Sequence, residues 1–130
     1  MIVVDASSIA KVVLQEEGWE NVPLTIDTAT LDISFVEVAN AVWKAVLQGR
    51  VSVDGARRKI EALKMMASAI VVFKAVDYLE RALEMALKER ITVYDAVYIV
   101  LAEDKSAVLY TCDRGQYSVA TKYVKAVYVG

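Results

Sequence analysis

The stretch MIVVDASSIAK, residues 1–11, changes its period partway along. Residues 1–4 form an unbroken apolar run rich in β-branched side chains, the pattern of a strand buried on both faces. The run stops at Asp5. From Ser7 to Glu16 the apolar residues Ile9, Val12 and Val13 fall at helical spacing, with Ser7 as the candidate N-cap. A strand that gives way to a helix across one acid is a βα unit, and the fold depends on whether that unit recurs.

It recurs along the chain. TATLDI (28–33) reads as a short strand, followed by a helix from Ser34 to about Gln48 that Gly49 terminates. An amphipathic helix over 53–66 precedes the strand AIVVF (69–73). Helices are predicted over 76–90, with apolar positions 79, 83, 86 and 87, and over 93–104. AVLYT (107–111) reads as a strand, 114–123 as a helix and AVYV (126–129) as a last strand, while 17–27 reads as a loop. Strands alternating with helices predict an α/β domain, a three-layer sandwich around a mostly parallel sheet of about five strands. The runs IVV, IVVF and AVLY have the composition of buried parallel strands. A single domain over 1–130 is expected, and a chain that is 57% hydrophobic can build its core without disulfides or a structural metal.

Composition removes several kinds of chemistry. There is no histidine, which excludes His-based triads, His general bases and zinc sites built on His. The single cysteine, Cys112, forms no intrachain disulfide and suits a reducing cytosol. A net charge of −2 is not the footprint of a protein that holds nucleic acid by its bulk field, so such a role requires a local basic patch or a bound cation. The N-terminus lacks the basic segment of a signal peptide and meets a charge at Asp5. No uninterrupted apolar run reaches the roughly 18 residues of a membrane span, so none is expected.

Four acids stand apart from the rest because they sit among apolar residues: VVDA, FVEVA, VYDAV and TCD. Asp5 ends the first strand, and Asp113 follows AVLYT by one residue. Ligand sites of open α/β sheets lie at the carboxyl ends of strands, near a switch in strand order. Glu37 and Asp95 each lie three residues after a hydroxyl residue, Ser34 and Thr92, in the pattern of a capping box. The helix dipole there favours the ionised carboxylate. Taken singly, each acid has an ordinary explanation as a cap or a turn residue. If the helix over 93–104 runs antiparallel to the strand after it, all four converge on one rim. How the helix over 76–90 is placed stays open at this level. Carboxylates without His or Cys make a hard-oxygen site suited to Mg²⁺ or Mn²⁺, ions that act on phosphates.

The ordered set Asp5, Glu37, Asp95 and Asp113, carried by VVDASSIAK, FVEVANAVWK, TVYDAVYIVLAE and LYTCDRG, resembles the PIN-domain nucleases. More narrowly, it is similar to the VapC toxins of VapBC toxin–antitoxin pairs. The resemblance spans almost the whole chain. It implies an α/β/α sandwich with parallel strands ordered 3-2-1-4-5, and a Mg²⁺- or Mn²⁺-dependent endoribonuclease acting on single-stranded or looped RNA. It also implies a homodimer inhibited by a cognate antitoxin whose tail covers the site. The four acids would be both metal ligands and catalytic residues. Ser7 matches a small hydroxyl that would support the first acid, and Asn40, one turn after Glu37, is placed to orient it. Arg114 is a candidate phosphate contact or an ordinary surface arginine. Many relatives carry a further acid shortly after the position of Asp113; here the stretch is RGQYS, which leaves a second metal in doubt.

Three other readings compete. One is a fold used only to bind protein or RNA, and another is a housekeeping RNA-processing nuclease. The third is a phospho-receiver, which needs paired acids after its first strand and a lysine after its last core strand. DAS and TCD do not supply these.

Overall fold

The computed structural model describes residues 1–130. Its five strands are β1 (Ile2–Val4), β2 (Thr28–Leu31), β3 (Val71–Phe73), β4 (Val108–Thr111) and β5 (Ala126–Tyr128). All pair in parallel, in the order β3-β2-β1-β4-β5. Six helices connect and flank them: α1 (Ala6–Val13), α2 (Ser34–Leu47), α3 (Val53–Ala69), α4 (Leu79–Glu89), α5 (Val93–Asp104) and α6 (Arg114–Ala120). The architecture is the α/β sandwich expected from the alternation of elements, with the strand order that the resemblance implied.

The chain leaves β1 towards β2 and β3, then crosses back to β4 and β5. The switch in strand order therefore lies between β1 and β4, where Val4 pairs with Tyr110. Parallel sheets leave a crevice beyond the carboxyl ends of the two strands at such a switch. Asp5 and Asp113 emerge there. A short 3-10 turn, Ala75–Tyr78, carries the chain from β3 into α4, and Arg90, with φ +58, ends α4 and turns the chain into α5. This resolves the placement of the segment over 76–90: α4 packs on α5, and α5 packs in turn on β1 and β4. Residues Ala96 to Ala102 of α5 are all buried, so the helix is apolar all round because it is covered all round.

Four local expectations change. Helix α1 begins at Ala6 and is capped by Asp5, not by Ser7: Asp5 is extended, and its carboxylate accepts the backbone N–H of Ser8 at 2.9 Å. Ser34 is not a cap either. Ile33 precedes α2 in helical conformation without a side-chain cap, and the Ser34 hydroxyl is buried without a hydrogen-bond partner. Strand β3 is an edge strand in which Val71 and Val72, on opposite faces of the sheet, are both partly exposed; its apolar run does not mark burial on both sides. In α4, Leu79, Leu83 and Leu87 face outward, and the helix packs through Ala82, Met85 and Ala86. No helix is long and apolar enough to cross a membrane.

Candidate active site

Asp5 is the innermost of the four acids, with 4% of its surface exposed. It caps α1 through Ser8, and two hydroxyls reach it besides. Ser7 Oγ lies 2.8 and 2.7 Å from its two carboxylate oxygens, and Thr111 Oγ1 donates to Oδ2 at 2.7 Å. Burial pushes its pKa above the ordinary value; the bonds from Ser7, Thr111 and Ser8 favour the ionised form and oppose that rise without cancelling it. Ser7 also accepts the backbone N–H of Cys112 at 2.9 Å, and Ser8 Oγ donates to the Tyr110 carbonyl at 3.0 Å. These bonds lock the first turn of α1 to the end of β4.

Asp113 is the N-cap of α6 and accepts the N–H of Gln116 at 2.8 Å. Its own N–H donates to Thr111 Oγ1 at 3.0 Å, so Thr111 touches both acids at the switch point. The Gln116 side chain is fully buried and donates to the backbone carbonyl of Asp95 at 3.0 Å. That bond ties the first turn of α5 to the first turn of α6. Asp95 lies at the third position of α5, where its N–H donates to the Thr92 cap at 3.2 Å. Its pKa is raised by burial first, then by the charges of Asp113 and Asp5. Glu37 accepts a 2.8 Å bond from the Tyr98 hydroxyl. Its pKa is raised by burial, eased by that bond, and raised again by Asp5 and Asp95.

The four acids therefore share one electrostatic site at the carboxyl rim of the sheet, and two of them carry the repulsion of their neighbours. As placed, however, no three of them close around a common point into a ready metal cage. Each is turned to a local donor: Asp5 to hydroxyls and a helix N-terminus, Glu37 to Tyr98, and Asp113 to its own helix. The chemistry of the donor set nevertheless fits a hard divalent cation. All the donors are oxygen, and a cation among them would relieve the like-charge repulsion that adds to burial in raising the pKa values of Glu37 and Asp95.

Ser7 sits beside Asp5. Asn40 is exposed and makes no hydrogen bond to Glu37; it lines the open cleft next to it, and the partner of Glu37 is Tyr98. Arg114 is exposed and lies 5.0 Å from the centre of the Tyr128 ring. Thr111 and Gln116 do not stand out in the sequence, and Tyr98, with Trp43 and Tyr94, reads there as a base-stacking or core aromatic and not as the partner of Glu37, although each left a sign. Thr111 is the one aliphatic hydroxyl of its strand and closes it. Tyr98 lies three residues after Asp95 in a helix too apolar to leave a phenol unpartnered. Asp113 and Gln116 have the cap-to-third-residue spacing of a capping box.

The PIN domain family model matches residues 2–122. Ribonuclease VapC3 of Pyrobaculum aerophilum is 38% identical over 117 residues, covering 87% of this chain and 89% of that protein. Exonuclease VapC9 of the same organism is 32% identical over 113 residues, covering 85% and 79%. Among solved structures, a toxin–antitoxin complex from Klebsiella pneumoniae contains a chain with the same fold, at a TM-score of 0.65 and 14% identity over 91% of each chain. With a family model that spans nearly its whole length and a relative above one-third identity, the chain belongs to the PIN domain family.

Proposed function

We propose that this protein is a metal-dependent ribonuclease that hydrolyses phosphodiester bonds, and that it is the toxin of a VapBC-type pair. One observation carries the reading. Four carboxylates from four separate chain segments gather at the sheet's switch point, where Glu37 and Asp95 each feel the charge of neighbouring acids in addition to burial. Asp5, Glu37, Asp95 and Asp113 would hold Mg²⁺ or Mn²⁺. When bound, such an ion polarises a phosphoryl oxygen and lowers the pKa of a water.

The chain's own part is to hold the carboxylates at fixed places and, through hydrogen bonds, to offset part of the burial that disfavours the ionised Asp5 and Glu37. Ser7 and Thr111 do this for Asp5, Tyr98 for Glu37, and the Thr92 and Gln116 contacts hold the backbone of Asp95. A bound cation also answers the net charge of −2, since it supplies positive charge where the phosphate sits.

The relatives' names support a nuclease, one being called a ribonuclease and the other an exonuclease. The toxin–antitoxin neighbour supports an antitoxin partner. The outward stripe Leu79, Leu83 and Leu87 on α4, with Trp43 and Leu47 on α2, offers apolar surface for an antitoxin and for a homodimer. A cytosolic site of action fits the lone free thiol.

The test is cleavage of linear and circular single-stranded RNA, with single-stranded DNA alongside, in Mn²⁺ and in chelator. Mn²⁺-dependent cutting of the circle supports an endoribonuclease, whereas cutting confined to linear strands marks an exonuclease. Preference for DNA, or full activity in chelator, overturns the proposal.

A further inference from the structure

The largest cleft, of about 620 Å³, opens beside the acids and is lined by Ile33, Val36, Glu37, Asn40 and Tyr94. Its layout follows from two helices. Residues 33, 36, 37 and 40 form one stripe along α2 and the residue before it, at the spacing that brings side chains onto one face. The α5 residue that lines the cleft is Tyr94. One turn further along α5, Tyr98 is buried behind the lining and holds Glu37 through its hydroxyl. Tyr94 is 62% exposed, though residues 96–102 of the same helix are all buried, and Val36 opposite is 75% exposed. Asn40 adds an amide with no intramolecular hydrogen bond in the structure. The cleft therefore has apolar walls, one open aromatic face, a free amide, and at its inner end a carboxylate of the acid site.

We infer that this cleft is a nucleobase subsite, in which Tyr94 stacks on an unpaired base next to the phosphate held at the acids and Asn40 meets the edge of that base. The inference rests on the nuclease reading and deepens it. A base offers a flat π-face and a rim of donors and acceptors, which the aromatic ring and the amide match respectively. Continuity through Glu37 sets the occupant apart from a general apolar ligand, because whatever fills the cleft adjoins the carboxylates. A planar ring between Tyr94 and the Val36 wall also requires an unstacked, single-stranded substrate. Every base has a π-face, so Tyr94 supplies affinity for any sequence, while Asn40 carries what discrimination there is.

The experiment compares wild type, Tyr94→Ala and Tyr94→Phe on a short single-stranded RNA and on copies carrying one abasic position, moved along the strand. For Tyr94→Ala the loss is expected in KM, about 5- to 100-fold, the range of one base–aromatic stack. Phe keeps most of the affinity. At one register the abasic strand is cut equally by wild type and Tyr94→Ala, because the stack is already missing. A 2-aminopurine at that register is quenched by wild type and Tyr94→Phe but not by Tyr94→Ala. If Tyr94→Ala weakens every abasic strand as much as the intact one, no base occupies the cleft and the inference fails. It fails too if Tyr94→Ala turns a dimer into a monomer in sedimentation with unchanged KM, since the cleft then seats a second copy of the chain. A wild-type protein that cuts no RNA removes the nuclease reading and the subsite with it; a wild type that cuts and a Tyr94→Ala variant equal to it remove the subsite alone.

Discussion

Thr111 Oγ1 donates to Asp5 Oδ2 across 2.7 Å, joining the carboxyl ends of β4 and β1. The same oxygen accepts the N–H of Asp113 at 3.0 Å, so a single hydroxyl spaces the two acids that flank the switch point. A threonine at the end of a strand holds its hydroxyl in a restricted rotamer, as a spacer between two charges requires.

Thr111→Val keeps the shape and removes the hydroxyl. Asp5 then loses a bond that stabilises its ionised form, and its already raised pKa moves further up. The acid limb of the pH–activity profile is expected to shift to higher pH, and activity at neutral pH to fall by roughly 10- to 100-fold, the usual effect of removing a support around metal ligands. Thr111→Ser restores the hydroxyl and most of the activity. An unshifted acid limb in Thr111→Val would show that Thr111 has no hold on Asp5.

The acids cost stability in the protein without a cation. Glu37 and Asp95 have folded pKa values above their ordinary ones, first through burial and then through neighbouring charge. A group of this kind stabilises the fold fully below its unfolded pKa, near 4, and that contribution is lost as pH rises through the raised folded value. In chelator, Tm is expected to rise on acidification from neutrality into that window. Asp95→Asn removes one like charge, so in chelator at neutral pH it should melt roughly 1–4 °C above wild type. In Mn²⁺ the order should reverse, because the cation stabilises only the form with its full ligand set. The same variant is expected to lose activity by at least about 100-fold while keeping its far-UV spectrum, since a missing ligand impairs the ion's work and not the fold. Asp5→Asn should lose activity alike, with a smaller gain in Tm or none, since the amide removes a buried charge but keeps only one acceptor for the hydroxyls and the helix N-terminus that the carboxylate serves.

What could be read from the chain alone divides along physical lines. The alternation of β-branched runs with helical spacing gave the layers, because those periods follow directly from backbone geometry. The acids stood out because an isolated carboxylate among apolar residues needs a reason. Caps were less legible. Ser7 and Asp5 both suit the start of α1, and only the three-dimensional path shows that Asp5 takes the Ser8 N–H and frees Ser7 to serve Asp5. Ser34 fits the capping pattern but is buried against the neighbouring elements. The sides of α4 and β3 were misassigned for a different reason: an apolar stripe reveals that a surface is to be covered, not whether this chain covers it.

Tyr98→Phe tests the partner of Glu37. The ring stays in the core of α5, so the cost to stability should be about that of one hydrogen bond, 0.5–1.5 kcal/mol by urea titration. Glu37 loses the donor that favours its charged form while keeping the charges of Asp5 and Asp95 against it, and its pKa rises. The Mn²⁺ concentration giving half-maximal activity is expected to increase about tenfold at neutral pH, with the difference shrinking as pH is raised and Glu37 ionises fully. A pH-independent deficit would mean that Tyr98 acts by geometry alone.

Gln116→Met separates stability from positioning most sharply. The wild-type side chain is fully buried, makes one bond from its amide nitrogen to the Asp95 carbonyl at 3.0 Å, and leaves its amide oxygen without a partner. Burying an unsatisfied acceptor costs about as much as one bond contributes, so an apolar side chain of similar volume should leave stability within about 1.5 kcal/mol of wild type. The backbone N–H of residue 116 still donates to the Asp113 cap. Only the tether between the first turns of α5 and α6 is cut, and with it the fixed distance between Asp95 and Asp113. The expected outcome is an unfolding curve close to wild type with activity reduced about tenfold, and a parallel rise in the Mn²⁺ needed for binding, measured by calorimetry without substrate. Gln116→Glu places a third carboxylate, unable to donate, between two acids; it should lose both stability and activity. If Gln116→Met is destabilised by several kcal/mol, or binds Mn²⁺ as wild type does, Gln116 is a packing residue and the spacing of Asp95 and Asp113 is set elsewhere.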